Sequence, residues 1–415
     1  MSKKGRGFMT NKIKQIFSEN WNDFLKLPGV SVRSVVKEDV KRMIGCGDLE
    51  KGHRVYECPS CNETKKVAFR CKSRFCTSCG KKYVDDRADA MSKKLIKVNH
   101  RHMVFTIPEE LRIYFRRERS LLGLLPKLAY EVIRFYMLGH NKKEAYTPGV
   151  VTVIHTFGGD LKWNPHVHLL VTEGGVGNSV DWKPVKYFHY EMLRKSWQKV
   201  LLNGLAKHIK KKKREFRNLK NKLYAIYTKG FYVYGERRVK NSKSAIKYVG
   251  RYTGRPAIAD SRIIDYDGET VSYKYTDKET KKQIIIKESV YEFIKKVIIH
   301  IAERGFKMIR YYGIYANKRK EKCKVVKMLD EKLLELKKQY KSWRKRIHLS
   351  FGHDPLLCPK CKVEMILVDI VYPVIGSVYD LIRKRDYAKI EQEIFELYED
   401  HERLKEKIGY EPMYV

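Results

Sequence analysis

Two histidines one residue apart carry the first chemistry in this chain. They lie in Asn164-Pro165-His166-Val167-His168-Leu169-Leu170-Val171, a short apolar run that opens at an Asn-Pro turn signal and reads as a buried strand. Side chains alternate faces along a strand, so His166 and His168 share one face and Val167 takes the other. Two imidazoles side by side can hold one divalent cation, although most His-x-His pairs in strands are simply hydrogen-bonded. A second strand-like run, Gly149 to Phe157, precedes the pair, and Gly158-Gly159-Asp160 carries turn signals between the two. A hairpin would bring His155 back beside His166 or His168 as a third ligand. Downstream, Tyr248 and Tyr252 are four residues apart and share a face if that stretch is helical, with Gly254 and Pro256 as stop signals. The bland alternative is a core stripe in a chain with 28 tyrosines.

Cysteines give the second chemistry. Cys58-Pro-Ser-Cys61 and Cys76-Thr-Ser-Cys79 are two Cys-x-x-Cys knuckles, near the spacing of a zinc ribbon. Four thiolates form the preferred structural zinc site, so Cys58, Cys61, Cys76 and Cys79 are expected to hold one ion. Cys46, His53 and Cys71 are left over. They could form a second, incomplete site, be structural, or supply a substitute for a knuckle cysteine. Cys358-Pro-Lys-Cys361 is a third knuckle with only two ligands. A histidine (His348 or His353) or ligands from the N-terminal module would have to complete it.

His-hydrophobe-His followed by Tyr-x3-Tyr resembles the HUH nucleases, and in particular the two-tyrosine rolling-circle transposases of the insertion-sequence-91 type. His155-Thr156-Phe157-Gly158-Gly159-Asp160-Leu161, Pro165-His166-Val167-His168 and Tyr248-Val249-Gly250-Arg251-Tyr252 carry the likeness, together with the cysteine-rich module. It runs from about residue 40 to about residue 370. One departure is Phe75, where the family is expected to have a histidine just before the second knuckle. The resemblance implies an antiparallel sheet flanked by helices, with the histidine pair on a strand and the tyrosines on a helix. It also implies a catalytic magnesium or manganese ion on His166 and His168, to which the hairpin geometry adds His155 as a third ligand, and nucleophilic Tyr248 and Tyr252. The DNA substrate would be single-stranded, with hairpin-containing element ends, and a host helicase or the replication machinery would be a partner. Arg251 and Arg255 beside the tyrosines are candidates to neutralise phosphate charge.

Charge points the same way. Lys and Arg number 88 against 48 Asp and Glu, a formal net charge of +40. A field of that size implies a polyanionic partner, nucleic acid by default. Lys72 and Arg74 make the cysteine module a candidate DNA contact. No leader peptide, lipidation signal or long apolar span is visible, so a cytoplasmic, nucleoid-associated protein with reduced cysteines and no membrane partner is expected. No G-x-x-x-x-G-K-[ST] loop occurs, so no ATP-driven motor is expected within this sequence.

These residues need elements to position them. Residues 10–45 have helical spacing. Arg101–Ile107 reads as a strand that puts His102 on one face with Val104 and Thr106, a structural histidine for which a site role stays open. A long helical region follows Pro108, and residues 187–228 read as basic helices. Gly230–Tyr234, Arg262–Asp265, Val271–Tyr275 and Gln283–Ile286 read as strands, then a helix from about 289 to 302. The expectation is an α+β chain: an N-terminal helical segment (1–45), a zinc-ribbon-like DNA-recognition module (46–92) and an HUH-type catalytic domain (93–316). A basic helical region with the third knuckle and a C-terminal helix follows (317–415). The rival readings are a rolling-circle replication initiator or relaxase with the same chemistry, or a non-catalytic zinc-dependent DNA-binding protein.

Overall fold

The computed structural model describes residues 11–92, 94–209, 212–235, 257–277, 280–316, 344, 347–348 and 352–383. Its helices are α1 (Lys12–Lys26), α2 (Ser34–Ile44), α3 (Thr77–Ser92), α4 (Glu109–Arg117), α5 (Leu124–His140), α6 (Tyr190–His208), α7 (Lys213–Ile226), α8 (Val290–Ile298) and α9 (Val378–Arg383). Its strands are β1 (His53–Glu57), β2 (Thr64–Ala68), β3 (His100–Thr106), β4 (Thr147–Phe157), β5 (Trp163–Val176), β6 (Lys183–Pro184), β7 (Val233–Gly235), β8 (Ile263–Tyr266), β9 (Thr270–Thr276), β10 (Gln283–Ser289), β11 (Ile309–Gly313), β12 (Ile366–Tyr372) and β13 (Gly376–Ser377). The chain is α+β with antiparallel sheets. It divides into two compact units: Met1–Gly80 with Ala302–Phe306 and Ser342–Val415, and Lys81–Ile301 with Lys307–Lys341.

In the first unit, α1 starts at Asn11, whose side chain accepts the Lys14 N–H at 3.0 Å and so satisfies one orphan donor. Its apolar stripe, Ile13, Ile16, Phe17, Trp21 and Phe24, is fully buried. Phe75 packs edge-on against Phe17, ring centroids 5.3 Å apart, so it is a core residue here. The sheet runs β13-β12-β1-β2. Its centre is a long-range pairing: β12 lies antiparallel to β1, from His53 opposite Val371 to Glu57 opposite Ile366. The third knuckle and its strand therefore belong to the N-terminal cysteine module rather than to a separate C-terminal region.

The second unit is built on the sheet β11-β4-β5-β3-β7, with β6 on the side of β5. Antiparallel partners directly opposite one another point to the same face. His155 is opposite His166, Val153 is opposite His168, and His168 is opposite Val104. One face thus carries His155, His166, His168, His102 and Thr106. The other carries Ile154, Val167, Leu169, Met103 and Phe105, all buried. Helices cover that second face; Phe105 meets Trp197 of α6 edge-on at 5.3 Å. On the histidine face, Val151, Val153 and Leu170 pack with Met91, Leu95 and Ile96, so that end of the face is closed by apolar cover.

The strands expected at 262–286 form a three-stranded sheet of their own, β10-β9-β8. Arg262 donates to Gly159 O, and the Tyr275 ring lies so near Gly159 that a Cβ there would come within 3.0 Å of it. This small sheet therefore braces the tip of the β4–β5 hairpin. Among the described residues no helix is long and apolar enough to cross a membrane.

Candidate metal centres and catalytic face

The β4–β5 hairpin turns at Gly158–Lys162, closed by the Gly158 N–H to Lys162 O bond at 3.2 Å. Leu161 takes a left-handed conformation there (φ 63°). His300, just past α8, locks the turn: its Nε2–H donates to Leu161 O at 2.9 Å, and Nδ1 accepts from the Thr156 hydroxyl at 3.0 Å. Burial pushes the His300 pKa down to about 4, so the ring is neutral.

This rigid hairpin sets His155, His166 and His168 together, with one ligand nitrogen from each lying within 4.8 Å of the others. His166 and His168 are buried and His155 is half-buried. His166 Nδ1–H donates to Asn164 O at 2.7 Å, which leaves its Nε2 as a lone pair. That nitrogen is 3.0 Å from His168 Nε2. Two nitrogens at cis positions on an octahedral ion, each about 2.1 Å from it, stand about 3.0 Å apart. The donor set therefore fits a divalent ion of the kind that accepts imidazole. His102 adds a further contact: its Nε2 is 2.9 Å from His168 Nδ1, with the rings parallel within 13°. Outer partners of this type fix the tautomer and orientation of a ligating ring. When His168 Nδ1 donates to His102, its Nε2 is left as a second lone pair beside that of His166.

Eight cysteines fall into two clusters. Cys46, Cys71, Cys76 and Cys79 form one; Cys58, Cys61, Cys358 and Cys361 form the other. Sγ separations in the first are 3.6 Å (Cys46–Cys79), 3.7 Å (Cys71–Cys79) and 3.7 Å (Cys46–Cys76). A tetrahedral zinc with bonds of about 2.3 Å has sulfur–sulfur edges of about 3.8 Å. The second cluster is slightly tighter, at 3.3 Å (Cys58–Cys361), 3.5 Å (Cys61–Cys358) and 3.6 Å (Cys61–Cys361). All of these far exceed a disulfide bond of about 2.05 Å. Zinc fits both sets.

The second cluster has two knuckles of one design. In each, Cys-Pro-x-Cys is followed by a left-handed residue, Asn62 (φ 56°) or Lys362 (φ 62°). Each turn is closed from that residue back to the first cysteine, Asn62 N–H to Cys58 O at 3.0 Å and Lys362 N–H to Cys358 O at 3.1 Å. The backbone N–H groups of Cys361 and Lys360 point at the Cys358 sulfur and hold its pKa down to about 6, outweighing burial. In the first cluster, hydrogen bonds from Cys71, Cys76 and Cys79 push the Cys46 thiol pKa down.

This partition differs from the expected one. The structure does not bring Cys58, Cys61, Cys76 and Cys79 to one site. Cys58 and Cys61 sit on the β1–β2 turn, while the chain after β2 returns to the end of α2, tied by Gly47 N–H to Phe69 O at 3.1 Å. That return puts Cys71, Cys76 and Cys79 beside Cys46. His53 joins neither cluster; its Nδ1 donates to Leu49 O at 2.9 Å. His348 and His353 are likewise outside the third knuckle's ligand set, which the N-terminal module completes. Lys72 is exposed in the loop of the first cluster and Arg74 is half-buried. Tyr248, Tyr252, Arg251 and Arg255 lie outside the described residues. His102, whose role the sequence left open, is brought beside His168 by the pairing of β3 with β5, which no local sequence pattern shows.

Comparison with known proteins bears on both parts. A family model described as "Putative transposase" matches residues 149–322, which hold His155, His166, His168 and both tyrosines. A "Transposase zinc-binding domain" model matches residues 16–107, which include the whole first cysteine cluster. Among relatives, the transposase for insertion sequence element IS801 of Pseudomonas savastanoi pv. phaseolicola is 31% identical over 324 residues, covering 74% of this chain and 76% of the relative. A protein named "Putative transposase y4qJ" of Sinorhizobium fredii (strain NBRC 101917 / NGR234) is 26% identical over 357 residues, covering 80% and 88%. No solved structure matches the chain.

Proposed function

This chain belongs to the insertion-sequence-91 family of transposases, and we propose that it nicks and rejoins single-stranded DNA through a 5′-phosphotyrosine intermediate in rolling-circle transposition. The observation that carries this reading is the convergence of His155, His166 and His168 on one face of the antiparallel sheet. A magnesium or manganese ion on these three imidazoles would supply Lewis-acid polarisation of the scissile phosphate.

The protein's own residues do the rest. The hydroxyl of Tyr248 or Tyr252 attacks phosphorus; the bond to the 3′ oxygen breaks, and a free 3′-hydroxyl leaves. The new phosphotyrosine ester conserves the energy of the broken bond, so rejoining needs no nucleotide cofactor. A second tyrosine lets two strand ends be held at once. Arg251 and Arg255 neutralise phosphate charge as it develops. His102 keeps His168 in the tautomer that presents Nε2 to the site. The two zinc-stapled knuckle clusters, with Lys72 and Arg74, recognise the hairpin-bearing ends in the cytoplasm at the nucleoid. Strand separation comes from a host helicase or the replication machinery.

The test is incubation with single-stranded DNA from the element ends and manganese, followed by a denaturing gel. A covalent adduct that disappears in His166→Ala is the expected result. Adduct formation undiminished in His166→Ala would refute the role of the histidine site.

A further inference from the structure

Strand β7 is last in the order β11-β4-β5-β3-β7 among the described strands, and it carries two exposed tyrosines. Tyr232, just before it, is 54% exposed and Tyr234 is 45% exposed, whereas Val233 between them is fully buried. The alternation follows from the sheet: Val233 is opposite Phe105 on the helix-covered face, and Tyr234 is opposite Val104 on the histidine face. Val104 is in turn opposite His168, and Thr106, whose hydroxyl donates to Tyr232 O at 3.0 Å, is opposite His166. Both tyrosines therefore stand on the face that carries the three histidines, two strands from His166 and His168. Strands lie about 4.8 Å apart, so the offset is about 10 Å, or about three rises of a stacked base at about 3.4 Å each.

Their rings are parallel within 9°, with centroids 6.4 Å apart. Same-face neighbours on a strand naturally stand about this far apart, so the spacing alone decides nothing. It is nevertheless close to twice the rise of a stacked base. The third component is Arg194 of α6. Its guanidinium carbon lies 5.1 Å from the Tyr232 ring centroid, and its Nε–H donates to Val233 O at 3.4 Å. An arginine tied to β7 and seated on an exposed aromatic ring offers a cation beside a π-face. In a chain of net charge +40, the ligand that uses both a flat apolar face and a fixed cation is a single-stranded nucleic acid.

We propose that Tyr232, Tyr234 and Arg194 form a stacking platform that holds the bases of single-stranded DNA about three base steps from the histidine site. The proposal rests on the single-strand reading given above and adds a subsite to it. The platform takes π-faces rather than base edges, so it is sequence-tolerant and excludes a paired duplex, whose bases are already stacked on one another. Arg194 contacts the backbone and contributes one salt-dependent contact to the binding.

The experiment measures binding of the full-length protein to a fluorescently labelled single-stranded oligonucleotide and to its duplex by anisotropy, over a salt series. A scan of single abasic positions in the single strand accompanies it. Tyr232→Ala/Tyr234→Ala is expected to bind the single strand about tenfold or more weakly. Its duplex affinity and salt slope should stay unchanged, and Tyr232→Phe/Tyr234→Phe should bind like the parent. Arg194→Ala should reduce the single-strand salt slope by about 0.7. One or two abasic positions should weaken the parent and have no further effect on the alanine variant. Zinc content and melting temperature, which these exposed positions should leave intact, control for folding; if the double variant melts early, the abasic scan on the parent and on Tyr232→Ser decides. The platform is refuted if the parent forms the covalent adduct and prefers single strands but the alanine variant binds within twofold of it, with the same abasic profile. A parent that neither prefers single strands nor forms the adduct would instead overturn the single-strand reading, and the platform with it.

Discussion

Separating the two zinc sites gives a prediction that the chain's own topology makes quantitative. Cys58 and Cys61 share their site with Cys358 and Cys361, not with Cys76 and Cys79. The purified parent should carry two zinc ions. Cys58→Ser/Cys61→Ser should carry one, and so should Cys76→Ser/Cys79→Ser and Cys358→Ser/Cys361→Ser. The combinations discriminate: Cys58→Ser/Cys61→Ser joined with Cys358→Ser/Cys361→Ser should still carry one, whereas joined with Cys76→Ser/Cys79→Ser it should carry none. The site shared with the third knuckle also closes a very long loop, since Cys61 and Cys358 are 297 residues apart. Treated as a cross-link of the unfolded chain, closure of that length is worth roughly 5–6 kcal/mol, an upper bound because the unfolded chain is not a structureless loop. Losing it should release β12 from β1, so limited proteolysis should cut near residue 360 in Cys358→Ser/Cys361→Ser and not in Cys76→Ser/Cys79→Ser. Plasma mass spectrometry of the dialysed proteins reads the stoichiometry directly. A single ion lost only when Cys58, Cys61, Cys76 and Cys79 are disrupted would refute the partition and restore the contiguous ribbon.

Further expectations concern the catalytic unit. His168→Ala should abolish nicking while leaving affinity for DNA within about twofold, because backbone charge supplies most non-specific binding; loss of both together in a folded protein would contradict it. His155→Ala should raise the manganese concentration needed for half-maximal nicking, and unchanged activity at low manganese would remove it from the ligand set. Burial lowers the His100 pKa to about 4, and the neutral ring donates Nδ1–H to Val98 O and accepts from the Tyr315 hydroxyl. The unfolded chain binds the proton first on acidification, so this stability is complete above pH 6.5 and falls by about 3 kcal/mol as pH drops towards 4; denaturant melts of His100→Gln should show a shallower slope over that window. Gly149→Ala would place a methyl group 2.6 Å from Tyr315 Cε2 and 2.8 Å from Ile314 Cγ1. That should cost about 1–3 kcal/mol, seen as a drop of several degrees in Tm.

The local parts of this structure were legible because their signals are local. The apolar run around His166, the Gly-Gly-Asp turn and the His155 strand specify a hairpin on their own, and strand alternation then assigns the faces. The stripe from Ile13 to Phe24 likewise reads as the helix it is. What escaped were contacts between segments far apart in sequence. Nothing in the spacing of Cys58 and Cys61 reveals that their partners lie at Cys358 and Cys361, because the pairing of β12 with β1 depends on the whole intervening fold. The unmatched Cys46 and Cys71 were the available hint, since a closed four-cysteine ribbon leaves them without a role. His102 stayed ambiguous for the same reason: its value comes from β3 lying beside β5, and strand order is not written in a strand's own residues. The sequence shows β8–β10 as three strands, but their separation from the main sheet depends on how Arg262 and Tyr275 meet the hairpin tip.

The central claim is that a tyrosine of this chain becomes joined to DNA under control of the histidine site. The most direct measurement is mass spectrometry of the protease-digested adduct formed with a single-stranded oligonucleotide and manganese. On this account the 5′ phosphate is found on Tyr248 or Tyr252, the Tyr248→Phe/Tyr252→Phe variant yields no adduct while keeping its zinc and its DNA affinity, and His166→Ala yields none either. A phosphopeptide that contains neither tyrosine, or a normal yield from the double phenylalanine variant, would contradict it.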